Sequence, residues 1–231
     1  MNVNFFRVLN RRNQPQPLFI LNANGVTVEY TGNTPGETGY INDDPSTYPV
    51  EYTAVDNAML NAMDPFNDDY TDVCTTLVTN MFDLFRSTTF NQDISHWDTS
   101  NVTNMNGMFA RTDFNQPLNN WDVSNVTDMS FMFSGTSLFN QPLNDWNVSN
   151  VNNMEGMFDS SVFNHPLNNW DVSNVTNMIG MFWIASAFSQ NISNWCVTNI
   201  TSQPLNFDAN TSSSWTTAMK PCWGQCGCLV T

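Results

Sequence analysis

Phe114-Asn-Gln-Pro-Leu118-Asn-Asn-Trp121-Asp-Val123-Ser-Asn-Val126-Thr-Asp-Met129-Ser-Phe-Met132-Phe133 is one line of a text that this chain writes five times. Its first Phe returns at Phe90, Phe139, Phe163 and Phe188, and its Trp at Trp97, Trp146, Trp170 and Trp195. In both series a shorter step alternates with one that is longer by a single position. A fixed period in the twenties predicts stacked coils, each of which buries its apolar side only against its neighbours.

Within the line, Leu118-Asn-Asn-Trp121-Asp-Val123 has the L-x-x-L-x-L spacing of a leucine-rich-repeat strand. Alternation then points Trp121 and Val123 inward and Asp122 outward. Val126, Met129, Met132 and Phe133 follow at i, i+3, i+6 and i+7, a spacing that suits a short helical or 3-10 turn. The expected fold is therefore a right-handed leucine-rich-repeat-like solenoid. Each coil would supply one short parallel strand and one helical or 3-10 turn.

Moving the frame back one period from Phe90 uncovers a degenerate coil, with Tyr70, Val73, Val78, Met81, Leu84 and Phe85 in the apolar places. Residues 66–200 thus read as about six rungs. Residues 1–65 read as an N-terminal cap. In it, Leu18–Leu21 and Val26–Tyr30 flank the hairpin signal Asn22-Ala-Asn-Gly25. A turn-rich stretch follows at Thr31–Tyr48, then a strand at Val50–Thr53 and a short helix within Val55–Met63. Residues 201–231 read as a cysteine-containing cap that covers the last coil with Phe207, Trp215 and Trp223.

The charge balance is one-sided. The 231 residues carry 21 Asp and Glu against 6 Lys and Arg, a net charge of −15, and none of the six falls between Arg111 and Lys220. Such a surface repels phosphate backbones and anionic headgroups, which argues against nucleic acid and direct membrane adsorption. No run reaches the ~18–20 apolar residues of a membrane span. The start, Met1-Asn-Val-Asn-Phe-Phe-Arg7, lacks the apolar stretch of a secretory signal.

Residues one period apart stack at strand spacing, ~4.8 Å, so outward positions form columns. One column holds Asp98, Asp122, Asn147 and Asp171, flanked by His96, Asn120, Asp145, Asn169 and Asn194. Two readings apply to this wall of carboxylates and amides. Each Asp can cap the backbone of the Ser-Asn turn that follows it, or the wall is a binding face for a protein or glycan. Calcium fits poorly, because three Asp in a column are not a cage of six to eight oxygens. A second column, Asn91, Asn115, Asn140 and Asn164 beside Gln92, Gln116, Gln141 and His165, reads as a side-chain ladder that satisfies turn backbone.

The five cysteines are Cys74, Cys196, Cys222, Cys226 and Cys228. Cys74 and Cys196 lie five rungs apart, about 24 Å by strand spacing, too far to pair. Cys196 is better placed to meet the C-terminal cluster. That cluster has weak zinc character, and a disulfide with at least one thiol left over is the better reading. No cofactor or metal is expected. Seven Asn-x-Ser/Thr sequons, from Asn101 to Asn210, are mostly by-products of the repeated Ser-Asn-Val-Thr.

The repeated line resembles that of BspA-type leucine-rich-repeat surface proteins, the mycoplasma-type lipoprotein repeat, across residues 66–200. Phe-Asn-Gln, Trp-Asp-Val-Ser-Asn-Val-Thr-x-Met and Met-Phe all fall in register. Trp195-Cys-Val-Thr-Asn-Ile and Lys220-Pro-Cys-Trp-Gly-Gln-Cys226 resemble the closing segment of such arrays. The resemblance implies a Cys196–Cys226 bridge, with Cys222 and Cys228 as additions. It also implies cell-surface display, adhesion or host interaction, and no enzymatic activity. The expected function is non-enzymatic recognition of a protein or glycan at an extracellular, cell or particle surface. The rival reading is a structural part of a virion, fibre or injection particle, held through residues 1–30 with Arg7, Arg11 and Arg12.

Overall fold

The computed structural model describes residues 18–228; residues 1–17 and 229–231 lie outside the described residues, and with them the three arginines of the expected assembly handle. The described chain opens with a hairpin in which β1 (Phe19–Leu21) pairs antiparallel with β2 (Val28–Tyr30). Asn24 closes its turn by accepting the N–H groups of Val26 and Thr27 on its side-chain oxygen, and Gly25 takes the left-handed conformation there. A second sheet joins β3 (Thr38–Tyr40), β4 (Glu51–Ala54) and β5 (Val73–Cys74), with β4 antiparallel to β3 and parallel to β5.

β3 lies inside the stretch read as turns. Gly39 has no side chain to keep the Phe19 ring away, since a Cβ there would lie 3.1 Å from the ring. The short helix α1 (Asn57–Ala62) is started by Asp56, whose carboxylate accepts from the N–H groups of Ala58 and Met59.

From Met81 onward the chain builds coil upon coil, and the ladder between coils does not lie where the strand spacing placed it. It runs through the Met-x-x-Met-Phe segment, not through Leu118–Val123. Isolated parallel bridges link Asn80, Asn104, Asp128, Asn153 and Asn177 in succession. Every second N–H after each bridge donates to the next coil: Met105 to Asp128 O, Gly107 to Ser130 O, Phe109 to Met132 O and Arg111 to Ser134 O, all at 2.8–3.0 Å. The intervening N–H groups close turns within their own coil, as in Met108 to Met105 O and Thr112 to Phe109 O.

Backbone of left-handed φ makes this alternation geometrically feasible. Two columns adopt it, one through Asp83, Gly107, Phe131, Gly156 and Gly180, the other through Ser87, Arg111, Gly135, Ser160 and Ile184. The expected helix is thus a run of turns threaded onto a ladder. The expected strand at Leu118–Val123 is instead a tight corner, where Trp121 N–H bonds Leu118 O and Val126 N–H bonds Val123 O. Asn, Asp and Ser on that corner supply local acceptors that compete with strand pairing.

The ladder also continues beyond residue 200. Gly180, Phe182 and Ile184 donate to the carbonyls of Leu205, Phe207 and Ala209. The first part of the C-terminal segment is therefore one more coil.

Aromatic columns fill the interior. Within a coil the two Phe rings stack, with centroids 4.1 Å apart for Phe109–Phe114 and for Phe133–Phe139. Phe109, Phe133, Phe158 and Phe182 follow one another at 5.6–5.8 Å. Both ends are closed by rings set edge-on, the geometry an aromatic quadrupole prefers where stacking stops. Tyr70 meets Phe85 and Phe90 at 73° and 77°, and Trp215 meets Phe182 and Phe188 at 73° and 86°. The indole N–H of each repeated Trp finds a carbonyl on the preceding coil: Trp97 to Tyr70 O, Trp121 to Ile94 O, Trp146 to Leu118 O, Trp170 to Leu143 O and Trp195 to Leu167 O.

The alternation between the shorter and the longer step is confined to one corner. The stretches Phe114–Phe133, Phe139–Phe158 and Phe163–Phe182 are equal in length, whereas the step from Phe133 to Phe139 exceeds that from Phe109 to Phe114 by one position. The extra residue falls beside Ser137 and Leu138, which are exposed.

Two disulfides join Cys196 to Cys226 and Cys222 to Cys228. Cys74 is a buried free thiol that donates to Val28 O, and burial pushes its pKa up to about 11. Among the described residues, no helix is long and apolar enough to cross a membrane.

Candidate functional site

The outward wall begins with the corner Trp-Asp-Val-Ser-Asn, and most of its polar groups have a local task. Asp122, Asn147 and Asp171 each accept the backbone N–H of the Ser two residues on, at 2.9, 3.2 and 3.0 Å. The Asn after each Ser donates its amide to the previous coil: Asn125 to Ser100 O, Asn150 to Ser124 O and Asn174 to Ser149 O. The capping reading of the column holds at these three positions. One oxygen of each group makes the turn, and the side chain stays exposed at positions 122, 147 and 171. Hydrogen bonds from Ser173 hold the Asp171 carboxyl below the usual carboxylate range, so it is an ionised acceptor at neutral pH.

Two of the expected face residues are not on the open wall. His96 is half-buried; its Nε2 lies 3.1 Å from Val73 O and its ring 5.6 Å from that of Tyr52. Asp98 is only 5 % exposed and accepts from Thr76 Oγ1 and Ser100 Oγ. The N-terminal unit covers this first rung, since Val28 N–H bonds His96 O and Tyr30 N–H bonds Thr76 Oγ1. The open wall starts one coil later, at Asn120 and Asp122, and continues through Asp145, Asn147, Asn169, Asp171 and Asn194.

The covered rung makes a pH prediction. Burial holds the His96 pKa below its ordinary value of 6.5 despite the opposing pull of nearby Asp93, Asp72 and Asp69. A histidine kept neutral in the fold contributes stability that is complete above its unfolded pKa and is lost as pH falls from 6.5 through the folded value. Denaturant titrations between pH 7.5 and pH 4.5 should show the midpoint falling, and His96→Gln should flatten the upper part of that slope. An unchanged slope in the variant would remove His96 as the cause.

Further along the wall lies a shallow cavity of about 330 Å³ lined by Pro166, Asn168, Gln190, Asn191, Ser193 and Asn194. Of the expected face residues it takes only Asn194, whose amide donates to Asn168 O at 2.7 Å. Sequence reading assigned none of the others a role; Gln190 falls one period after His165 and extends that side-chain ladder, donating to Asn164 O and Oδ1. The missed signal is adjacency. The ladder column and the outward column border one groove, and stacking sets amides from both along its walls.

A family model described as Mycoplasma protein of unknown function, DUF285, matches residues 53–162 and again residues 110–218. The two matches overlap over 110–162, as one repeating array permits. No curated protein and no solved structure matches the chain.

Proposed function

Because the chain belongs to the DUF285 family, whose description names no activity, we propose from its own geometry that it is a non-enzymatic surface recognition protein of the BspA type. In this reading the stack is a leucine-rich-repeat-like solenoid displayed on a cell or particle surface, and its open Asn/Asp wall binds a glycan or the polar face of a protein. One observation carries the reading. Exposed acceptors recur at every coil from Asp122 to Asp171, and each is fixed in direction by its own turn. A row of pre-oriented oxygens and amides beside an amide-lined cavity loses little entropy on binding hydroxyl-rich ligands, and an oligosaccharide fits it best. The ionised Asp171 supports acceptor work over acid catalysis.

Asn147 already fills an Asp position of the column and makes the same turn. The double substitution Asp122→Asn and Asp171→Asn should therefore leave the unfolding midpoint nearly unchanged. Hydrogen bonds to charged groups are worth roughly 1.5–3 kcal/mol, so a ligand that uses these carboxylates should lose about tenfold or more in affinity. A glycan array followed by titration calorimetry on both proteins checks this. Absence of any glycan or surface-protein ligand for the unmodified chain would sink the proposal, as would affinity unchanged by the double variant.

A further inference from the structure

Half a repeat after the Asp column, on the other side of each coil, the surface changes character. Asn147 leads to Asp159 and Asp171 leads to Trp183 by the same offset. There Phe131, Glu155, Asp159, Ile179 and Trp183 line a groove of about 170 Å³ over Gly156 and Gly180. Ile179 is 44 % exposed and Trp183 40 %, with Leu205 on the next coil at 70 %. The floor is open because glycine holds two successive left-handed positions of the ladder. Phe131 takes the same conformation one coil earlier, φ +56°, and lays its ring where a Cβ on Gly156 would sit.

Among the described residues, only neutral groups meet the two carboxylates of this groove. Glu155 accepts from Asn177 Nδ2 at 2.9 Å, and Asp159 from Ser160 Oγ at 2.7 Å and Ser134 Oγ at 3.4 Å. Exposed rings beside two unneutralised carboxylates are the surroundings that a guanidinium favours, since it stacks on aromatic faces and pairs with carboxylates by fork-like hydrogen bonds. The chain itself has few cations to offer. Arg86 is engaged by Asp83 and Lys220 by Asp208. Three of the remaining four are concentrated in Phe5-Phe-Arg7-Val-Leu-Asn-Arg11-Arg12, where they alternate with apolar residues as the groove alternates rings with carboxylates.

We propose that the groove seats the N-terminal segment of a second copy of this chain, with Arg11 and Arg12 on Glu155 and Asp159. Reach favours a neighbour's segment over the chain's own. Phe19 packs with Cys74 on the Asp-column side of the first coil, three to four rungs from the groove, or about 14–19 Å along the stack. The backbone from Arg11 to Leu18 spans at most about 25 Å, and the rise alone uses most of it before the segment has rounded half a coil. Each copy has one segment and one groove, so two copies satisfy each other.

Sedimentation equilibrium of the full chain at rising concentration tests this. The unmodified chain should dimerise. Arg11→Glu with Arg12→Glu, and Glu155→Lys with Asp159→Lys, should each weaken self-association at least tenfold. An equimolar mixture of the two variants should restore it, because both contacts of the mixed dimer are again between opposite charges. Trp183→Ala, which alters no charge and an exposed side chain, should weaken the dimer as well. A chain that stays monomeric throughout overturns the proposal. So does a dimer indifferent to either charge reversal, or a mixture that fails to associate while both variants keep native circular dichroism. None of these substitutions touches the Asn/Asp wall, so ligand binding there stands or falls separately.

Discussion

Trp146→Ala should destabilise the folded chain by about 3–5 kcal/mol, the range for emptying an indole site in a packed core. The ring is 3 % exposed, lies 6.4 Å from Phe133 by centroids, and donates to Leu118 O at 2.9 Å. Its removal opens a cavity in the middle of the stack and takes one of two hydrogen bonds from that carbonyl, which keeps the Trp121 N–H. Trp146→Phe separates the two losses. A phenyl ring fills much of the space but cannot donate, so the lost indole hydrogen bond should cost about 0.5–1.5 kcal/mol by itself. Urea titration followed by circular dichroism measures both. If Trp146→Phe matched the parent, the indole N–H would be incidental and packing alone would explain the repeated Trp. Because each coil contacts only its neighbours, the same pair of substitutions at Trp121 or Trp170 should give similar values.

The second large effect concerns the C-terminal closure. Cys196 and Cys226 are separated by 30 residues, and closing a loop of that length removes about 4 kcal/mol of unfolded-chain entropy in the chain-entropy account. The bridge sits where Val197 N–H bonds Gln225 O and Gly227 N–H bonds Trp195 O, so it ties residues 222–228 to the last indole of the column. Replacing both cysteines with alanine should lower the thermal midpoint by about 8–16 °C, taking roughly 2–4 °C per kcal/mol for a chain of this size. Cys222 and Cys228 are only 6 residues apart, and the same arithmetic gives their bridge about 2 kcal/mol. Scanning calorimetry of the two double variants should rank them in that order. Equal midpoints would mean that the closing segment holds without its long-range bridge.

What could be read from the sequence was whatever repeats. The columns of Phe, Trp, Leu, Val and Met follow from the period, and each of their members in Phe114–Phe133 is buried. The hairpin at Asn22–Gly25 was legible because Asn and Gly answer a specific demand of turn geometry. The ladder was not. It depends on left-handed backbone at two positions of each coil, the first filled by Asp83, Gly107, Phe131, Gly156 and Gly180, a series with no single residue type to betray it. The alternation around Trp121 imitated a strand, while its Asx turns ended strand pairing before it began. In the candidate site, composition showed which residues face outward but not what lies over them. His96 and Asp98 occupy the same column positions as Asn120 and Asp122, and only the packing of β2 and Tyr52 distinguishes covered from open. The cavity around Asn168 and Gln190 escaped notice because its residues belong to two different columns. The groove at Trp183 is a departure from the repeat, and a reading guided by the consensus passes over departures.

The corner between Phe133 and Phe139 lets this protein vary in length without losing its place. Each extra residue is taken up before the next Phe, so no rung downstream inherits the offset. Unequal duplication with a breakpoint there would add a whole coil already in phase with both neighbours. A peptide epitope spliced between Ser137 and Leu138 would stand clear of the stack, as a flag does from its pole.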